Sequence, residues 1–357
     1  MRFLIAGAGA IGGYIGAKLA RAGEDVTLFA RGPHLQAMCA SGLRVISPDD
    51  DFEVRPRIIG DLREAGPAEV IFLGVKAHGL TQLAPQITPL IGEHTSVVST
   101  QNGVPWWYFQ FEKNGQFGKN GQFEKNGQFE NGGQSENGGR VGKSEFANLH
   151  LERVDPGGVI ARSIDCRHVI GSIAYFSTDI VEPGVIRHNE GNRISIGEPD
   201  GSRSERARAI AEKLVKAGLR APLTARIRHE IWVKILGNVA FNPISALTRA
   251  TLEQIVRDPE TCSLVRNIMT EAEAVATKLG MELPVSIEQR IAGAEKVGAH
   301  KTSMLQDLEA GRPMEIEAIV GAVVELGDRL GVAMPHTRSV YASTKLLDIL
   351  SRGGNSK

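Results

Sequence analysis

Residues Gly7-Ala8-Gly9-Ala10-Ile11-Gly12 carry the spacing G-x-G-x-x-G. The flanks make the match informative. The apolar run Phe3-Leu4-Ile5-Ala6, in a strand expected over Arg2–Ala6, leads into it, and Ile11–Arg21 follows with apolar residues at helical spacing. Strand, glycine turn and helix in that order is the context in which this motif binds a dinucleotide. Gly7 permits the tight turn, Gly9 lets a pyrophosphate approach the backbone, and Gly12 lets the helix pack against the strand. Ala10 and Ile11 open that helix, whose free N–H groups and positive dipole end favour phosphate.

Outward from the motif, Asp25–Ala30 reads as a second strand, and Val70–Val75 and Ser96–Ser99 as later ones. A helix is expected between them over Leu80–Ile91, interrupted by Pro85 and Pro89. This alternation predicts a parallel sheet wrapped by helices. Short strands are expected over Val169–Phe176, Val185–His188 and Arg193–Ile196, then a helix over Ser204–Ala217. From Arg226 the pattern is helical, over Ile227–Phe241, Pro259–Leu279, Ser286–Ala294, Ile316–Leu330 and His336–Leu350, with Gly280 and Gly331 where C-terminal caps belong. The expected fold is therefore an α/β Rossmann-type doubly wound domain, residues 1–222, followed by an all-α domain, residues 223–357.

Residues 109–139 fit neither pattern. From Lys113 they run in sixes, KNGQFG, KNGQFE, KNGQFE, NGGQSE. A six-residue period also suits a short β-solenoid. One Phe per unit, and none in the last, buries too little surface to offset chain entropy, so a disordered insertion is expected.

Composition narrows the function. The length of 357 residues suits two domains. Lys+Arg and Asp+Glu both number 41, so no basic excess recruits nucleic acid or an anionic membrane. No apolar run approaches the ~18 residues of a spanning helix. The N-terminal run breaks too early for a signal peptide. Cys39, Cys166 and Cys262 are far apart, and neither they nor the nine histidines show metal-ligand spacing. A reducing, cytoplasmic setting and no metal are expected.

The end of the second strand selects the cofactor. An acidic residue there would bind the ribose 2′-OH. This chain has Leu28-Phe29-Ala30-Arg31 instead, and a guanidinium suits a 2′-phosphate, so NADPH is expected.

Two segments lie at the carboxyl ends of strands, where doubly wound sheets bind ligands. One is Gly74-Val75-Lys76-Ala77, the other Gln101-Asn102-Gly103. Taken singly, they read as a solvated lysine and an Asn-Gly turn. More telling is Ile231–Pro243, in which Lys234, Asn238 and Asn242 are spaced i, i+4, i+8. They form a polar stripe among apolar neighbours, and buried polar groups need partners that a substrate could supply. A late segment, Thr302-Ser303-Met304-Leu305-Gln306-Asp307 and Gly311–Glu317, is equally readable as helix caps and a turn.

The ordered set GAGAIG, the Lys of GVKA, the Asn of QNGV, IWVKILGNVAFNPISALT and TSMLQDLEAGRPMEIE resembles the ketopantoate reductase family over nearly the whole chain. The resemblance implies reduction of a 2-oxo acid to a 2-hydroxy acid by NADPH, as in pantothenate synthesis, with a small-molecule substrate. It implies that Lys234 is the general acid and that Glu315 binds the substrate hydroxyl and positions it. It places Asn238, Asn242 and Ser303 on the substrate, Lys76 and Asn102 near the nicotinamide and substrate carboxylate, and Arg31 on the 2′-phosphate. A protonated lysine suits the role, since its charge also stabilises the developing alkoxide. Two alternatives stay open: the same chemistry on another oxo acid, and an NADP(H)-binding regulator without turnover. A homodimer through the apolar stripe Gly321-Ala322-Val323-Val324 is one reading, and core of a single chain is the other.

Overall fold

The computed structural model describes residues 1–48, 50–110 and 149–353. Beyond Gln110, the expected insertion lies outside the described residues. Among the described residues nine strands form one sheet: β1 (Arg2–Ala6), β2 (Asp25–Phe29), β3 (Leu43–Ile46), β4 (Phe52–Val54), β5 (Arg57–Ile59), β6 (Val70–Leu73), β7 (Ser96–Ser99), β8 (Val169–Glu182) and β9 (Val185–Gly197). Their order is β4-β3-β9-β8-β7-β6-β1-β2-β5. Strands β5, β2, β1, β6, β7 and the start of β8 pair in parallel.

The central strands are near-continuous apolar runs because both faces of the sheet are covered. Every residue of β6 and β7 is buried. Alternate residues of β1 serve opposite faces. Phe3 and Ile5 pack with Tyr14, Leu28 and Leu214. Leu4 and Ala6 join a cluster that runs through Ile71 and Leu83 to Trp107, Trp232, Leu236 and Val323. Sheet and helical region thus share apolar core. Gly321–Val324 is buried inside it, the second of the two readings of that stripe. No described helix is long and apolar enough to cross a membrane.

Chain order sets the binding crevice. β2, and beyond it β5, lie on one side of β1, while β6 and β7 lie on the other, so the direction of winding reverses at the carboxyl end of β1. Ligands bind at such a switch point, and the glycine motif sits there.

Local expectations needed correction. The sheet is mixed rather than parallel: β3 pairs antiparallel with β4, and β8 with β9. The strands expected over Val185–His188 and Arg193–Ile196 are one strand. The polar Asn189-Glu190-Gly191-Asn192 between them lies on an exposed stretch of the β8–β9 pair, where the ladder shifts register at irregularities opposite Tyr175–Thr178 and then resumes. The helix expected from Leu80 begins at Ala77 and contains Pro85, while Pro89 falls in a short 3-10 turn. Residues Glu317–Gly321 are a π-helical segment before the helix Ala322–Leu330.

Candidate active site

The glycine loop is built by close approach. Gly7 has φ of +111°, and a Cβ there would lie 2.5 Å from Val75 Cγ1. A Cβ on Gly12 would lie 2.3 Å from the Gly7 carbonyl oxygen, and one on Gly74 2.2 Å from the same atom. Helix, loop and the end of β6 therefore nest only as glycines. Gly9 differs, because its nearest neighbour, the Gly74 carbonyl oxygen, would be 3.8 Å from a Cβ. The chain's own packing does not require glycine at 9, which is what an outside ligand needing close backbone approach would explain.

The helix Ala10–Arg21 starts at Gly9 with no side-chain cap and no acidic residue in its first turn. Its first N–H groups are thus left for an anion. The loop is anchored behind: Ala8 N–H donates to the Phe29 carbonyl at 2.7 Å, and His34 Nε2 lies 3.0 Å from the Ala8 carbonyl oxygen. Gly184 N–H donates to His34 Nδ1 at 3.0 Å, so Nε2 carries the ring proton. Burial pushes the His34 pKa down, in keeping with this neutral tautomer. Arg31, exposed just beyond β2, holds its guanidinium 5.2 Å from the Phe29 ring centre and pairs with no acid among the described residues. It could pair with a phosphate on a ribose hydroxyl of a dinucleotide.

A second cluster forms where the helical region meets β6 and β7. Glu315 is buried, and Ala77 N–H donates to its Oε1 at 3.0 Å. Asn102 Nδ2 donates to its Oε2 at 3.2 Å. The next residue, Gly103, has φ of +85°, and a Cβ there would lie 2.1 Å from the Ala318 carbonyl oxygen. That carbonyl accepts from Val104 N–H at 3.0 Å, so the Asn102 loop docks on the π-helical segment that follows Glu315.

Lys234 lies on the helix Ile227–Thr248, half-buried, and donates from Nζ to the Ala174 carbonyl at 2.8 Å. Burial lowers its pKa from 10.5 to about 8, while the negative charge of Glu315 opposes the fall. Lys234 and Asn102 line one cavity with Ser99, Trp107, Ser172 and Ile231. Its volume of about 20 Å³ is room for a water beside Lys234. Further along the same helix, Asn238 is half-buried, and Asn242 is buried with its Nδ2 lacking a partner among the described residues.

Lys76 pairs with Asp307, a buried carboxylate that also accepts from Arg312 Nε at 3.1 Å. Ser303 is exposed at the start of the same short helix, Ser303–Glu309. The structure thus brings together Asn102, Glu315 and Lys234, and sets Lys76 beside them through Ala77. Arg31 stands apart, at the glycine loop. Sequence reasoning passed over Asp307 and Gly74, although they neighbour Ser303 and Lys76 in sequence. The available signals were a carboxylate between Leu305 and Leu308, one turn after Ser303, and a glycine two residues before Lys76.

Residues 3–105 match the family described as Ketopantoate reductase PanE/ApbA, and residues 226–348 the one described as Ketopantoate reductase PanE/ApbA C terminal. A curated protein of Mesorhizobium japonicum named 2-dehydropantoate 2-reductase is 47% identical over 350 residues, 98% of each chain. One of the same name from Archaeoglobus fulgidus is 29% identical over 93% of this chain and 92% of its own. A crystal structure from Ralstonia solanacearum MolK2 is 37% identical, with a TM-score of 0.85 over 99% of this chain and 98% of that one.

Proposed function

The chain belongs to the ketopantoate reductase family of pyridine-nucleotide oxidoreductases, and from that premise we propose that it reduces 2-dehydropantoate to pantoate with NADPH, as a step of pantothenate biosynthesis. The observation that carries the proposal is the meeting of Lys234, Asn102 and Glu315 at the carboxyl ends of β6 and β7.

The work divides between residues 1–222, which hold the cofactor, and 223–357, which carry the substrate side. Gly7, Gly9 and Gly12 shape the loop, and Ala10 and Ile11 begin the helix that meets the pyrophosphate. Arg31 takes the 2′-phosphate, which is why NADPH is the expected form. Bound NADPH supplies the hydride.

Lys234 supplies the proton. A pKa of about 8 keeps it an ammonium at neutral pH yet makes it a stronger acid than a solvated lysine. Its charge also stabilises the alkoxide as the ketone is reduced. Glu315, fixed by Ala77 and Asn102, helps keep Lys234 protonated and binds the substrate hydroxyl. Lys76 and Asn102 border the nicotinamide, and Asn238, Asn242 and Ser303 hold the substrate. The unpaired amide of Asn242 is supporting evidence, since a buried polar group without a partner calls for one.

The test is to mix the purified protein with NADPH and 2-dehydropantoate and to follow the nicotinamide absorbance. The expected result is turnover, with 2-dehydropantoate preferred over other 2-oxo acids. Turnover only with other oxo acids would refute the substrate. Cofactor binding without any turnover would refute the reaction.

A further inference from the structure

Resting on the proposed reduction of a 2-oxo acid, we infer that Arg290 receives the substrate carboxylate. Arg290 lies on the helix Ile287–Val297 and is half-buried. Its guanidinium packs directly on the lysine helix at Gly237. A Cβ on Gly237 would lie 2.2 Å from Arg290 Nη2 and 3.2 Å from its Cζ. Gly237 precedes Asn238 and follows Lys234 by three residues. At about 100° per residue it therefore borders the stripe that carries both.

Arg290 has no counter-ion among the described residues, and its Nε is buried with no hydrogen-bond partner. Tyr175 is the titratable group felt most by it, and a neutral phenol does not balance a guanidinium. A desolvated cation in that position is costly unless something anionic reaches it.

The neighbouring cations are already engaged. Lys76 and Arg312 share Asp307, Arg193 pairs with Glu230, and Lys234 donates to the Ala174 carbonyl. A 2-oxo acid carries its carboxylate on the carbon next to the ketone. Held by the planar fork of Arg290, which matches a carboxylate in two hydrogen bonds, the acid would set its ketone toward Lys234 less than a turn away. Arg290 is then the group that makes the enzyme select an acid rather than any ketone.

The experiment compares kcat/KM with NADPH for 2-dehydropantoate and for its uncharged primary amide, in the wild type and in Arg290→Gln. The wild type should favour the acid, and the substitution should cut the acid-to-amide ratio by about 30-fold or more, the scale for losing one member of a buried charge pair. NADPH affinity, read by nicotinamide fluorescence, should persist. An unaltered ratio, or acid and amide slowed alike, would overturn the assignment while leaving the reductase reading standing. A wild type that reduces neither compound nor any other 2-oxo acid would overturn both. Should Arg290→Gln fail to fold, Arg290→Met, which keeps the aliphatic stem, is read in the same way.

Discussion

Asn102 and Glu315, 213 residues apart in sequence, meet side chain to side chain, with Asn102 Nδ2 3.2 Å from Glu315 Oε2. The same carboxylate accepts from Ala77 N–H and acts electrostatically on Lys234. One buried acid therefore connects the ends of two strands to the candidate proton donor.

That connection sets a pH dependence. Lys234 has its pKa lowered to about 8, first by burial, against the opposing charge of Glu315. Reduction needs the ammonium, so kcat/KM should be level below about pH 8 and fall about tenfold per unit above it. Glu315→Gln removes the charge that favours the ammonium and should move the falling limb to lower pH. A limb that stays in place would break the link between the two residues.

The same shift bears on stability. The folded chain releases the Lys234 proton near pH 8, whereas the unfolded chain holds it to about its ordinary 10.5. Between these values the unfolded state binds more protons, so this residue's contribution to stability improves as pH rises. Lys234→Met should lose that part of the pH dependence in denaturant titrations, and an identical profile would refute the burial effect.

Gly9 and Gly12 should separate binding from folding. Gly12→Ala forces a Cβ against the Gly7 carbonyl oxygen and should cost about 1–3 kcal/mol, the range for overpacking. Gly9→Ala meets nothing closer than 3.8 Å, so its melting temperature should match the wild type while NADPH affinity drops. Equal destabilisation by both would show that Gly9 serves packing after all.

Arg31→Asp should weaken NADPH far more than NADH, because only NADPH carries the 2′-phosphate. Dissociation constants for both cofactors measure this directly. Equal losses would sink the phosphate assignment.

The fold was legible where patterns are local. The glycine spacing between a strand and a helix placed the crevice, and the apolar runs at Phe3–Ala6 and Val70–Leu73 identified central strands. The stripe Lys234, Asn238, Asn242 was visible as a helical period. What it faces was not, because Glu315 and Asn102 meet only through the tertiary fold, and their roles entered through family resemblance. The Lys76–Asp307 pair was missed for the same reason. Strands β3, β4 and β5 are three or four residues long, too short for alternation to register. The π-helical turn after Glu315 leaves no sequence period at all.

The most direct test of the account is a single-turnover measurement of NADPH oxidation by 2-dehydropantoate in the wild type and in Lys234→Ala. The substitution should slow the step by at least ~100-fold, the scale of general acid catalysis, while NADPH still binds. A rate near that of the wild type would contradict Lys234 as the proton donor.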